Sequence, residues 1–513
     1  MIFSWANVIT TIIVGIVAVG KADECIPRIY GLGRTVCVCN STYCDSTPRV
    51  VPEKGYYRIY ESGKGGKRMA SKLGSFEKSA ILSNHKDEVK LTLNYDIKYQ
   101  MIFGFGGAFT DSASELILRL DEETQQRLLE SYFGQNGSRY NLGYVPIGST
   151  DFSRRAYTYD DEEDDRLENF RLQNEDLMLK IPVIQKASHV NDQLEFVSAA
   201  ESAPEWMKTE HDEYHGGFLK KKYYQTYADY LVKFLEAYEK HGIKIWAISP
   251  GQEPIDLGEM SPYKSTMSWS GKSVANWIAK HFGPSIAASE FNDTIILVGN
   301  DARMYIPHYV NEIFENDQAF SYVAGIAVHA AMDYIESPIS LDKLQQRYPE
   351  KFLIVTSMAV GSLPWQQPKV YAGDWARGEK YIFNIIENLN HSITGYIDSS
   401  LVLDKMGGPN RVGSRTDAAI FVDLDRQEFY KQPIYYALAH FSKFISRGSI
   451  RIDTNTSDDF ANVAFLTPDE ETVIVVYNGE SSDTTLVIQD PSAGYIKTNI
   501  PPQSIQTIIY KRE

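Results

Sequence analysis

The chain has 513 residues, 43% hydrophobic, 12% aromatic and 23% charged, which is ordinary globular composition and excludes disordered, collagenous and coiled-coil classes. Lys plus Arg number 51 against 67 Asp plus Glu, and a net charge of -16 lacks the basic footprint that a nucleic-acid partner requires. At ~150 residues per domain the length suggests about three domains, or one large α/β domain with an appendage. The aromatics are lopsided, with 33 Tyr and 23 Phe against 7 Trp.

Residues 1–20 read as a secretory signal peptide. The apolar stretch from Val8 to Val19 is broken only by Thr10 and Thr11, and Ala18-Val19-Gly20 supplies small residues for cleavage, although the leader carries no Lys or Arg. The run is short for a membrane span of about 20 residues. A secretory-pathway protein, lysosomal or secreted, is expected. All four cysteines, Cys25, Cys37, Cys39 and Cys44, crowd into the next segment. Four cysteines allow three pairings, and spacing alone does not choose among them. No CxxC pair occurs, so disulfides are favoured over zinc. Asn-x-Ser/Thr triplets at Asn40, Asn136, Asn292, Asn390 and Asn455 fit the same route as glycosylation acceptors.

From about residue 100 to 400, short apolar runs alternate with amphipathic stretches. The runs are Ile102–Gly106, Leu142–Ile147, Leu194–Ala199, Ile243–Ser249, Thr294–Val298, Gly325–His329, Leu353–Ser357 and Ile393–Asp398. Eight buried strands separated by helices predict a (β/α)₈ TIM barrel, an α/β fold. The clearest helix is Tyr223 to His241, whose Tyr227, Leu231, Phe234, Leu235 and Tyr238 make one apolar face before Gly242. The acidic run Asp160 to Asp165 lacks the alternating ligands of a calcium loop and is read as a solvated loop. After about residue 450, short strands at Val463–Leu466, Thr472–Tyr477, Thr485–Ile488 and Ile505–Tyr510 predict an antiparallel β-domain. The segment before the barrel completes it, so the barrel is inserted in an all-β module.

Functional groups of such a barrel sit at the C-terminal ends of its strands. Those ends offer Asp111, Asp151, Glu201, Gln252-Glu253-Pro254, His329, Ser357 and Asp398. Glu253 is the best single candidate, because a carboxylate held between a buried strand and a proline is partly desolvated and suited to general-acid use. The bland reading is a carboxylate that caps a βα loop. There is no HExxH and no GxSxG, and Ser270-Gly271-Lys272-Ser273 lacks the leading glycine of a P-loop; it reads as a turn entering a helix.

With these residues set out, the chain resembles the acid β-glucosidases, the glucosylceramidases of glycoside hydrolase family 30. The resemblance runs through Cys37-Val38-Cys39-Asn40, Thr42-Tyr43-Cys44-Asp45, Gly104-Phe105-Gly106-Gly107-Ala108 with Thr110-Asp111, Gly325-Ile326-Ala327-Val328-His329, Gly407-Gly408-Pro409-Asn410 and His440-Phe441-Ser442-Lys443-Phe444-Ile445. It implies disulfides Cys25–Cys37 and Cys39–Cys44 and a β-sandwich built from both ends of the chain. The expected parts are a disulfide-bonded β element at 21–48 joined by about 400–432, a sandwich at 49–98 plus 448–513, and a barrel at 99–399 plus 433–447.

The family's reaction is retaining hydrolysis of the β-glucosyl bond of glucosylceramide, with two carboxylates about 5–5.5 Å apart and no metal or cofactor. The resemblance makes Glu253 the acid/base, with Gln252 where the family has asparagine. It puts the nucleophile inside Thr356-Ser357-Met358-Ala359-Val360-Gly361-Ser362, where the glutamate is replaced by Ser357. Sugar-site groups are replaced too: Glu201 stands for a tryptophan, Ala330-Ala331 for Trp-Tyr, Ser399-Ser400 for Trp-Asn and Tyr144 for an arginine. Asp111, His329 and Asp398 remain and, with Gln252 and Glu201, are the residues left to contact a sugar; for the three retained ones a structural role is favoured. Trp206, Trp246 and Trp365 align with tryptophans outside the sugar site and are expected to serve packing.

Three readings follow. The first is a family member without hydrolytic activity or severely impaired, binding a glucosylceramide-like lipid or an altered sugar ligand, with a saposin-like activator protein and a membrane surface as partners. The second is a glycosidase that pairs Glu253 with a relocated carboxylate such as Glu201. The third is an ordinary active glucosylceramidase.

Overall fold

The computed structural model of the protein describes residues 23–78, 88–209, 217–255, 267–456 and 460–512; the signal-peptide reading at 1–20 lies outside them. Eight parallel strands close a barrel: β1 (Gly104–Ala108), β2 (Leu142–Ile147), β3 (Glu195–Ala200), β4 (Ile245–Ser249), β5 (Ile295–Ala302), β6 (Val323–His329), β7 (Phe352–Ser357) and β8 (Ile393–Asp398), each beside its successor and β8 beside β1. Strands buried on both faces must be apolar throughout, which is why they read as continuous runs. The inward positions Leu142, Tyr144, Val197, Ala199, Ala247, Leu297, Ala327, Ile354 and Ile397 fill the interior. Phe103, Trp246 and Phe352 stack together beside the N-terminal ends of the strands.

The helix Tyr224–Glu239 buries the predicted apolar face against the barrel, and Gly242 takes the positive φ of +75° that ends it. Ser270 caps the helix Gly271–Trp277 by accepting from Ser273 N at 3.2 Å, so that turn is a helix start.

A nine-stranded sheet unites both ends of the chain. Its strand Ser504–Lys511 lies antiparallel between Glu471–Asn478 and Tyr56–Gly63. Glu77 bridges Tyr495 across the two outer edges, folding the sheet into a sandwich over a core that includes Leu91, Ile474, Ile488 and Ile508. The sandwich is not wholly antiparallel, because Thr484–Asp490 runs parallel to Glu88–Met101. A smaller sheet joins Pro27–Gly31 and Arg34–Cys39 to Glu428–Lys431, Ile420–Asp423 and Val402–Asp404. Disulfides Cys25–Cys37 and Cys39–Cys44 tie its N-terminal part, the pairing that the resemblance implied.

Two local expectations change. Asp160 is 3% exposed rather than solvated, because Trp206 Nε1 donates to its carbonyl at 2.9 Å and draws the loop inward. Burial pushes the Asp160 carboxyl up to about 6. Trp365 does not pack in a core; it is 54% exposed and its Nε1 donates to Tyr334 Oη at 2.9 Å, joining the loops that follow β7 and β6. Of the glycosylation triplets, Asn136, Asn292 and Asn455 are exposed, whereas Asn40 and Asn390 are half-buried. The Asn390 Nδ2 donates to Asn462 O at 2.9 Å, and Asn40 Oδ1 accepts from Thr42 N at 2.9 Å.

Candidate active site

Glu253 sits four residues beyond the end of β4 in a left-handed conformation, φ +46°, that a side chain adopts only at a cost of about 1–3 kcal/mol. The backbone holds it there. Glu253 N donates to Asn300 O at 2.8 Å, and Gln252 N donates to Ala200 O at 3.1 Å. The carboxylate is thereby carried to β6, where Oε1 lies 3.2 Å from His329 Nδ1. His329 stands in register with Ser357 on β7, and Ala330 N donates to Ser357 O at 2.8 Å. Glu253, His329 and Ser357 therefore occupy neighbouring positions at the C-terminal mouth of the barrel.

Asn300, at the end of β5, organises this cluster and was not singled out from the sequence. Its φ is +58°, its Nδ2 donates to Gly251 O at 3.2 Å, and its Oδ1 accepts from Thr356 Oγ1 at 2.7 Å. One amide thus joins the β4 loop that carries Glu253 to the β7 residue that precedes Ser357. The signal available in the sequence was Gly299-Asn300-Asp301, a polar triplet closing an apolar strand.

Tyr144 points into the barrel interior from β2, and its hydroxyl donates to Gln252 Oε1. Burial, with the nearby charge of Glu201, holds the phenol far above its usual range, so it is a neutral donor. Glu201, one residue past β3, is itself 7% exposed. The order Glu201, Tyr144, Gln252, Glu253 forms a polar arc along one side of the mouth. Opposite it, Ala330 is buried, and the buried Ser400 hydroxyl has no hydrogen-bond partner among the described residues.

Two further strand-end carboxylates singled out in the sequence are engaged by the protein. Asp111 opens the helix Asp111–Leu118 and accepts from Ser153 Oγ at 2.6 Å and from Tyr157 Oη at 3.0 and 3.1 Å. The buried Lys180 ammonium lies 3.7 Å from it and 2.9 Å from Asp176. Burial raises the Asp111 carboxyl and Lys180 opposes the rise. Asp398, at the end of β8, accepts from Tyr381 Oη at 2.6 Å and from Ser399 N at 3.1 Å. Burial pushes its carboxyl up to about 7. Tyr157, Ser153, Lys180 and Tyr381 come from distant segments, and nothing local in the sequence pairs them with these carboxylates.

Residues 102–445 match the Glycosyl hydrolase family 30 TIM-barrel domain and residues 448–508 match the family 30 beta sandwich domain. The chain is 38% identical over 503 residues to the lysosomal acid glucosylceramidase of Mus musculus, covering 96% of each chain. It is 37% identical over 523 residues to the putative glucosylceramidase 3 of Caenorhabditis elegans, covering 99% of each. Among solved structures, SrfJ from Salmonella typhimurium superposes with a TM-score of 0.82 at 24% identity, covering 89% of this chain and 100% of that one, which speaks to fold.

Proposed function

The chain belongs to glycoside hydrolase family 30, and from that premise we propose that it is a glucosylceramidase-like protein whose hydrolysis of β-glucosides is lost or severely reduced. The observation that carries this is the composition of the barrel mouth. Glu253 faces His329 at 3.2 Å, and the residue in register with His329 on β7 is Ser357.

Retaining hydrolysis divides the work between two carboxylates. One donates a proton to the departing oxygen, and Glu253 is fit for that. The other collapses onto the oxocarbenium-like carbon, and a serine hydroxyl that no base activates is neutral and a poor nucleophile. By the scale of nucleophile deletions in other covalent enzymes, the loss is on the order of 10⁶ in turnover. Asp111 and Asp398 do not offset it, because both carboxylates are already held inside the protein. The ligand class is a glucosylceramide-like lipid or a related β-glucoside, met in the lysosome or outside the cell. An activator protein of the saposin type and a membrane surface are the partners that such a lipid implies.

The test is a matched measurement of hydrolysis and binding with glucosylceramide and simple β-glucosides at acid pH. Binding without turnover is the expected result. Turnover at the level of an ordinary glucosidase, abolished by Glu253→Gln, would overturn the proposal.

A second reading is supported by the polar arc. Glu201 is buried beside Tyr144, which bonds the neighbour of Glu253, so a second carboxylate belongs to the same mouth. If the two stand about 6.5–9.5 Å apart, they suit inversion through a bound water. Release of α-glucose that depends on both Glu201 and Glu253 would establish it.

A further inference from the structure

Far from the barrel mouth, the small sheet, the barrel and the sandwich meet around the helix Pro433–Ser442. Lys431 precedes this helix and Lys443 follows it, and each is 2% exposed. The two lysines line one small cavity together with Asp45, Asn136, Gly137 and Tyr435. The cavity is about the size of one water molecule or halide ion.

The charges around it do not balance. Lys431 is matched by Asp45, donating to its carbonyl at 2.7 Å with a carboxylate oxygen 3.3 Å away. Arg49 is matched by Glu471. Lys443 has only carbonyl partners: it donates to Gly137 O at 2.6 Å and Gln135 O at 3.4 Å and makes no ion pair among the described residues. Arg139, in a left-handed conformation with φ +58°, adds a fourth cation that acts on the same ammonium. Burial, followed by the charges of Arg139, Lys431 and Arg49, drives Lys443 well below the usual lysine range. Four cations, Lys431, Lys443, Arg49 and Arg139, thus face three carboxylates, Asp45, Glu471 and Asp469, inside a protein whose net charge is -16. Burying an ammonium without a counter-charge is costly, and a nearby anion removes that cost.

We propose that this cavity is a binding site for a small monoatomic anion, chloride in kind, held by Lys443 and Lys431 beside the Asn136–Gly137 turn. Phosphate, sulfate and carboxylates are too large for it. The exposed Asn136 marks the side from which an ion reaches the cavity. Occupancy would supply the counter-charge that the Lys443 ammonium lacks, so chloride would stabilise the junction of the three sheets. The proposal is independent of whether the barrel hydrolyses anything.

The test is thermal unfolding of the whole protein at constant ionic strength as gluconate is replaced by chloride. A rise of about 1–2 °C between roughly 5 and 300 mM chloride is expected, the scale of ligand linkage for a millimolar site in a protein of this size. The rise should vanish in Lys443→Met. A second measurement needs no variant: crystals soaked in bromide should show an anomalous peak within hydrogen-bonding distance of Lys443 Nζ. An equal chloride response in Lys443→Met, no chloride response in the unmodified protein, or no bromide in the cavity would each overturn the proposal.

Discussion

The Tyr381 hydroxyl donates to Asp398 Oδ1 at 2.6 Å, so a carboxyl at the very end of a barrel strand is held by a helix rather than turned toward a ligand. Burial pushes that carboxyl up to about 7 from an ordinary 3.8, so the folded protein keeps a proton that the unfolded chain releases. A raised folded value means that this contribution to stability is fully present below pH 3.8 and is lost as pH rises through 7. Asp398→Asn imitates the protonated form. The substitution is expected to stabilise the protein by about 2–3 kcal/mol more at pH 8 than at pH 5, by chemical denaturation at both pH values.

His440 has the opposite sign. Its Nδ1 lies 2.8 Å from Thr507 Oγ1 and its Nε2 lies 2.9 Å from Ser62 Oγ, in full burial between barrel and sandwich. Burial drives it down to about 3, so it stays neutral where the unfolded chain, at 6.5, takes up a proton. Stability should fall as pH drops from 6.5 toward 3, by about 2–3 kcal/mol between pH 7 and pH 4.5. His440→Gln should be less stable at pH 7 and should lose that slope in denaturant titrations.

Placing a carboxylate at position 357 is the most direct experiment on the proposed function. Ser357→Glu is expected to raise β-glucosidase turnover by at least about 100-fold over the unmodified protein, a small part of what nucleophile loss costs covalent enzymes. Adding Glu253→Gln should remove the gain. If Ser357→Glu binds β-glucosides yet stays silent, the side chains at Glu201, Ala330 and Ser399 limit the reaction on their own.

Arg303 is fully buried after β5 and holds Asp333 at 2.6 Å and Glu387 at 2.7 Å. It also donates to Glu336 O at 3.1 Å, fixing the loop after β6 that carries Tyr334. Removing one partner from a buried pair leaves the other charge uncompensated. Arg303→Met should cost about 3–5 kcal/mol in urea unfolding, and the fluorescence of Trp365, bonded to Tyr334, should report the loosened rim.

The barrel was legible because its strands are apolar on both faces. Leu142–Ile147 and Ile393–Asp398 match the expected runs residue for residue. The first strand lies two residues later than expected, since Gly104, Gly106 and Gly107 carry little hydrophobic signal. The fifth extends through the polar Asn300-Asp301, where the pairing with β6 shifts register. In the sandwich, Ile450–Thr456 and Gly494–Ile500 were not foreseen, because alternate polar residues on a solvated face dilute a short run. At the site, Glu253, His329 and Ser357 could be named from strand ends alone. Asn300 and Tyr381 could not, because each acts through partners more than ten residues away in the chain.

The interior position of Ser504–Lys511 beside Tyr56–Gly63 sets an order of events during synthesis. A ribosome making ~5–20 residues per second needs on the order of half a minute to a minute and a half to travel from one strand to the other. The whole barrel can close in that interval, while the early strands wait with their apolar faces uncovered. Loss of the last strand by a late nonsense codon would therefore leave a complete barrel attached to a sheet that cannot be finished. The quantity to follow in such a truncation is capture by chaperones rather than misfolding of the barrel mouth.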